Sequence, residues 1–172
     1  LGGSLLLFPD LVNQLGCWWR NLQERDAELM AAPWFVVVGG GTVVDVVRSW
    51  DQVHSLSPTD SHRLSLAGMQ VTARLVAQLM DWPLLAFPVL LDDGGPGNSP
   101  PEDGKTLHDN RFSVWWDRVT QLGVDRPIVV DLAEAAGDDR QLPESWDVTS
   151  DSLAMWLASR VHARRVVLLK AV

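Results

Sequence analysis

Apolar positions along this chain follow two spacings, and stretches of one spacing alternate with stretches of the other. After a helix start at Pro9-Asp10, Leu11, Leu15, Trp18 and Leu22 fall three or four apart on one helical face, and the charged run Gln23 to Glu28 closes it. Trp34 to Val38 is continuous, aromatic and β-branched between Pro33 and Gly39, which predicts a strand buried on both faces. The strand runs straight into Gly39-Gly40-Gly41, and Val43, Val47 and Trp50 then resume helical spacing. Ser57-Pro58-Thr59-Asp60 starts the next helix, with Leu64, Gly68, Val71, Leu75 and Leu79 on one face and Leu66, Met69, Ala73, Val76 and Met80 on the other. A helix apolar nearly all round is expected inside the domain or in a subunit contact. Leu84 to Leu91 reads as a strand with Pro88 at an edge or bend, and Asp92 to Asn110 as a flexible loop rich in glycine and proline. Phe112 to Leu122 then reads as a short helix, Ile128 to Val130 as a strand, Thr149 to Arg160 as a capped helix, and Val166 to Leu169 as a last strand.

Strands alternating with helices predict an α/β sandwich with a mainly parallel sheet, whose ligands gather at the carboxyl ends of the strands. With 172 residues and no internal repeat, one domain over 1–172 is expected. The chain opens in the turn Leu1-Gly2-Gly3-Ser4 and stops just after an apolar run, so truncation at both ends is expected. Charge and cysteine usage narrow the function classes. Fourteen basic against 22 acidic residues leave a net charge of −8, which argues against nucleic acid as a partner. Cys17 is the single cysteine, which excludes an internal disulfide framework and fits a cytoplasmic location. No apolar run reaches the roughly 20 residues of a membrane helix, so no membrane partner is expected.

The sharpest chemical signal is Gly39-Gly40-Gly41, placed where a buried strand becomes a helix. Its backbone N–H groups can face a phosphate oxygen at the positive helix start with no side chain in the way, although a tight turn needing positive φ also accounts for glycine there. The dinucleotide fingerprint fails, because Val44 stands at the position of its third glycine; an oxidoreductase reading is correspondingly weak. A Walker-type loop fails at Ser99, although Gly104-Lys105-Thr106 supplies its closing triplet. Gly2-Gly3-Ser4 is a second glycine-rich turn before a helix, and two such turns in one parallel sheet could embrace one polyphosphate. Thr149-Ser150-Asp151-Ser152 opens a helix and reads either as an N-cap with an acidic first turn or as a group in which Asp151 orients a lysine or a metal. Lys170, at the end of the last strand, either faces the ligand edge or is simply solvated. Arg48, two turns past the glycines, is a candidate for an anionic group of a substrate, against the alternative of a solvated helix-face charge. His54 and His62 lack metal-ligand spacing and either flank a substrate pocket or serve as surface and capping residues; no metal site is assigned.

Taken together, Leu1-Gly2-Gly3-Ser4-Leu5, the run Val36 to Gly41 and Thr149-Ser150-Asp151-Ser152-Leu153-Ala154 resemble, in order, the motifs of the amino acid kinase superfamily, which includes aspartokinase, acetylglutamate kinase, carbamate kinase and uridylate kinase. The run Trp146 to Ser152 and the helix carrying His62 look most like its methanofuran-pathway kinase branch. The resemblance implies a three-layer α/β/α sandwich of the carbamate kinase type. It also implies phosphoryl transfer from ATP, with Mg²⁺ bridging the phosphates, to a small-molecule acid or phosphate monoester. By that likeness Gly2, Gly3 and Ser4 hold the donor, with Thr149, Ser150 and Lys170 beside it. Gly39 to Gly41 stabilise the transferring group and its acceptor, and Asp151 organises the cationic groups; Arg48, His54 and His62 are the candidates for the acceptor side read from the residues themselves. The superfamily's leading lysine would precede Leu1, and its nucleotide loop would follow Val172. A homodimer through the Asp60 to Met80 helix is expected by the same likeness. The alternative is a non-catalytic binding or regulatory module of the same fold.

Overall fold

The computed structural model describes residues 1–25, 29–88, 107–123, 125–139 and 142–170. Among these, six α-helices and three strands follow one another as α1 (Leu11–Arg25), β1 (Phe35–Val36), α2 (Gly41–His54), α3 (Pro58–Met80), β2 (Leu84–Ala86), α4 (Leu107–Leu122), β3 (Ile128–Asp131), α5 (Ala133–Asp138) and α6 (Ser150–Arg160), with 3₁₀ turns at Gly3–Leu7 and Leu29–Ala31. The fold is mixed α/β. All pairing in the sheet is parallel, in the order β1-β3-β2, with Val129 level with Val36 on one side and with Leu84 on the other.

β3 lies in the centre and is buried along its whole length. Its side chains alternate between two apolar clusters. Ile128 and Val130 pack with Phe87, Trp115, Val119, Leu153 and Leu157. Val129 packs on the other side with Val38, Ala73, Val76 and Trp82. Helices therefore contribute to a core on each side of the sheet.

Helix starts follow the local chemistry. Ser57 caps α3, its hydroxyl accepting from the Asp60 N–H, with Pro58 as the first helical residue. Thr149 caps α6 in a reciprocal box with Ser152. Burial departs from the expected faces in three places. Trp19, rather than Trp18, is buried in α1, and Val44 with Val47 is buried in α2 while Val43 and Trp50 stay exposed. The α2 face is turned because Val44 closes on Gly40. In α3 the face carrying Leu66, Ala73 and Val76 is buried, whereas Leu64, Val71, Leu75 and Leu79 are exposed.

Three strands are shorter than expected or differ in kind. β1 covers only Phe35–Val36, both half-buried, and beyond it the Val37 carbonyl accepts from the Leu1 N–H. β2 ends at Ala86, and the rest of its expected length falls partly outside the described residues. Val166 to Leu169 forms no ladder; its one backbone bond near the sheet runs from the Gly2 N–H to the Leu169 carbonyl, at 2.7 Å. α4 begins at Leu107, five residues before the expected start, so the tail of the expected loop is helical; its residues 92–106, like the Gly104-Lys105-Thr106 triplet, lie outside the described residues.

Candidate functional site

Three helix starts converge at the carboxyl end of β1. The Leu1 N–H donates to the Val37 carbonyl at 2.7 Å, and the Gly39 N–H donates to the Leu1 carbonyl at 2.9 Å. These two bonds seat the opening turn beside the triple glycine. The contact is backbone on backbone. A Cβ built on Gly3 would lie 2.1 Å from the Gly41 nitrogen and 2.7 Å from the Gly39 carbonyl oxygen, and one on Gly41 would lie 2.6 Å from the Gly3 oxygen. A Cβ on Gly39 would meet both the Gly3 nitrogen and the Ser150 hydroxyl at 2.9 Å, which brings the start of α6 into the same junction. Gly41 adds a left-handed φ of 52°.

The two glycine turns that the sequence separates by some 35 residues therefore interlock, and glycine is required by their mutual approach. Bare backbone lines this junction. The first N–H groups of the 3₁₀ turn, α2 and α6 have no partners within their own helices, and their dipoles favour an anion.

Asp151, in the first turn of α6, pairs with Lys170 at 2.5 Å, so the sequence-expected acid and cation meet. Burial pushes the Leu1 ammonium below its ordinary pKa; Asp151 acts against that shift and Lys170 adds to it. Ser4 is exposed at the turn, and Thr149 is committed to capping α6. Among the described residues no group of three His, Cys, Asp or Glu side chains stands close enough to hold a metal ion.

The residues expected near an acceptor fall into two groups. His62 is buried on α3, and its Nε2 has no hydrogen-bond partner among the described residues. It lies seven residues before Met69, which faces Gly40, hence on the same side of α3 and about 10 Å along it. Arg48 and His54 are exposed on α2. The Arg48 guanidinium pairs with Asp45 at 2.6 Å and sits 5.2 Å from the Trp146 ring centre, so it braces the 142–149 segment. The Trp146 indole N–H also donates to Asp51 at 2.8 Å, and the Thr59 hydroxyl donates to the Glu144 carboxylate.

Sequence reasoning missed Asp131. Its carboxylate is buried at the carboxyl end of β3, where it accepts from the Gln70 amide at 2.7 Å and from the Ala133 N–H at 3.0 Å. An aspartate closing the apolar run Ile128 to Val130 was the available signal, because a buried acid at a strand end needs a reason.

Compared with protein families, residues 1–172 match the model described as the Amino acid kinase family. No curated protein matches the chain.

Proposed function

The chain belongs to the amino acid kinase family, a family of kinase-like phosphotransferases, and on that premise we propose that it transfers a phosphoryl group from ATP, with Mg²⁺, to a small-molecule acid or phosphate monoester. The observation that carries the reading is the interlocking of Gly3 with Gly39 and Gly41 beside the start of α6, a junction lined by backbone in which a Cβ on any of the three would collide. That cradle suits a polyphosphate. Gly2, Gly3 and Ser4 would hold the donor phosphates, and the nucleotide supplies the phosphoryl group together with the oxygens that bind Mg²⁺. Gly40 and Gly41 direct N–H groups at the charge that develops on the equatorial oxygens, which is most of what phosphoryl transfer asks of a protein. Asp151 holds Lys170 in place near the donor. The orphaned Nε2 of His62, about 10 Å along α3, suits an anionic acceptor group.

The two core clusters on opposite sides of the sheet support a three-layer sandwich of the carbamate kinase type. The run Trp146 to Ser152 and the placement of His62 favour the methanofuran-pathway kinase branch. No helix among the described residues is long and apolar enough to cross a membrane, and we assign the protein to the cytoplasm on its family and its single cysteine. The exposed stripe Leu64, Val71, Leu75 and Leu79 supports a homodimer through α3. Calorimetry with ATP·Mg, with a nicotinamide dinucleotide for comparison, tests the central proposal. Saturable binding of ATP alone is expected, and the absence of nucleotide binding would leave the non-catalytic alternative.

A further inference from the structure

The segment 142–148, which leads into the Thr149 cap of α6, is neither helix nor strand, and none of its residues is buried. Its backbone bonds turn back on themselves: Leu142 donates to Asp139, Ser145 to Pro143 and Val148 to Ser145. Among the described residues its polar ties to α2 and α3 are made by side chains. The Trp146 indole donates to Asp51 at 2.8 Å with the Arg48 guanidinium over its ring, and Glu144 accepts from the Thr59 hydroxyl. Next to these ties α3 carries two polar groups that the fold leaves unsatisfied. The Ser61 Oγ and the His62 Nε2 are closed off from water, in residues 2% and 5% exposed, and neither has a partner among the described residues. Such groups are few in native proteins and each needs a reason. Both stand where the segment is tied down. His62 lies one turn beyond Thr59 on the same side of α3. The hairpin of α2 and α3 brings Gly68 against Val44. Two turns back along α3 from Gly68 is Ser61, and two turns on along α2 from Val44 is Asp51, so Ser61 stands level with the Trp146 tie.

We infer that residues 142–148 are a strap closing a subsite for a small oxyanion, which the His62 imidazole and the Ser61 hydroxyl hold, and that Trp146 is the latch of the strap. The inference rests on the reading of His62 as partner of an acceptor's anionic group; it adds Ser61 as a second donor and the strap as the gate. An imidazole and a hydroxyl can both donate, and the closed latch keeps the Asp51 carboxylate engaged by the indole, so the pair suits an anion. Because both atoms are sealed in this structure, an anion reaches them only when something lifts. The strap lifts at the lowest cost, since it releases a few side-chain contacts and uncovers no buried residue of its own.

The test uses the 172-residue chain and diethyl pyrocarbonate, which modifies accessible imidazoles, read one histidine at a time by peptide mass mapping. In the parent chain His62 should react more slowly than the exposed His162. Trp146→Ala removes the indole bond and the ring beneath Arg48, and should speed His62 about tenfold relative to His162, the factor those two contacts amount to. Thr59→Val removes one hydrogen bond at nearly constant volume and should speed it about fivefold; it carries the test alone if the tryptophan variant does not fold. In the Thr59→Val chain, whose latch is intact, millimolar inorganic phosphate should slow His62 and leave His162 unchanged. His62 as reactive as His162 in the parent, or unaltered in the folded variants, would overturn the strap, and no protection by phosphate would overturn the anion subsite. The kinase reading fails separately. Phosphate protection in a chain that binds no ATP·Mg upholds the subsite and removes phosphoryl transfer, whereas ATP·Mg binding without protection removes the subsite and leaves phosphoryl transfer standing.

Discussion

Gly3→Ala isolates the close approach of the two glycine turns. The added Cβ would sit 2.1 Å from the Gly41 nitrogen, 2.5 Å from its Cα and 2.7 Å from the Gly39 oxygen, all backbone atoms that cannot rotate out of the way. Ordinary carbon contacts begin near 3.4 Å, so the turns must part by more than an ångström. That separation strains or breaks the bonds of 2.7 and 2.9 Å by which Leu1 holds Val37 and Gly39. Overpacking alone costs about 1 to 3 kcal/mol, and each lost hydrogen bond adds about 1 kcal/mol, so a loss of about 3 to 4 kcal/mol is expected. Gly16→Ala is the control. A Cβ there meets nothing within 4 Å, and Gly16 lies inside α1, so the same change should stabilise by about 0.5 to 1 kcal/mol. Urea unfolding with a shared slope reads both variants. A Gly3→Ala cost below about 1 kcal/mol, or two variants of the same sign, would refute the interlocked junction and with it the argument that glycine is demanded there by packing.

Three other outcomes follow from the same geometry. His62→Leu removes a buried polar atom that has no partner, so stability should change by less than about 1 kcal/mol, while phosphoryl transfer to an anionic acceptor falls at least tenfold; a large stability loss with transfer intact would give His62 a structural role instead. Because burial holds the Leu1 ammonium below its ordinary pKa, the unfolded chain binds more protons between that lowered value and about pH 8, so stability should rise with pH across this window and level off above it, and Nα-acetylation should flatten this part of the urea-midpoint profile. Val71→Asp, at the middle of the exposed α3 stripe, should turn a dimer into a monomer by light scattering without lowering the unfolding midpoint of the monomer; a parent chain that is already monomeric at high micromolar concentration removes the α3 interface.

Local signals that depend on a few adjacent residues were the legible part of this fold. Ser57-Pro58-Thr59-Asp60 marked the start of α3, and Thr149 with Ser150 that of α6, because caps act through bonds within one turn. The triple glycine after an apolar strand was likewise visible, whereas Asp151 and Lys170 were singled out separately and only the structure pairs them. What could not be read is set by distant partners. Trp18 and Trp19 have the same composition-level claim to burial, and which one faces the core depends on how α1 is rotated against its neighbours. Val166 to Leu169 has strand chemistry, yet a ladder needs a neighbour, and among the described residues it is Gly2 that bonds to it. Asp131 went unnoticed for the same reason, since its partner Gln70 is 61 residues away on α3.

The placement of β3 between β1 and β2 also bears on synthesis. Phe35 and Val36 leave the ribosome 93 residues ahead of their partners Ile128 and Val129, a wait of about 5 to 20 seconds at ordinary elongation rates. β2 waits beside them, because it too pairs only with β3. During that interval the run Trp34 to Val38, aromatic and β-branched, lacks the β3 partner it has in the described sheet and is exposed to wrong partners. Co-translational folding of the described sheet is thus gated by β3, and its demand for chaperones should be set by how soon residues 128–131 emerge.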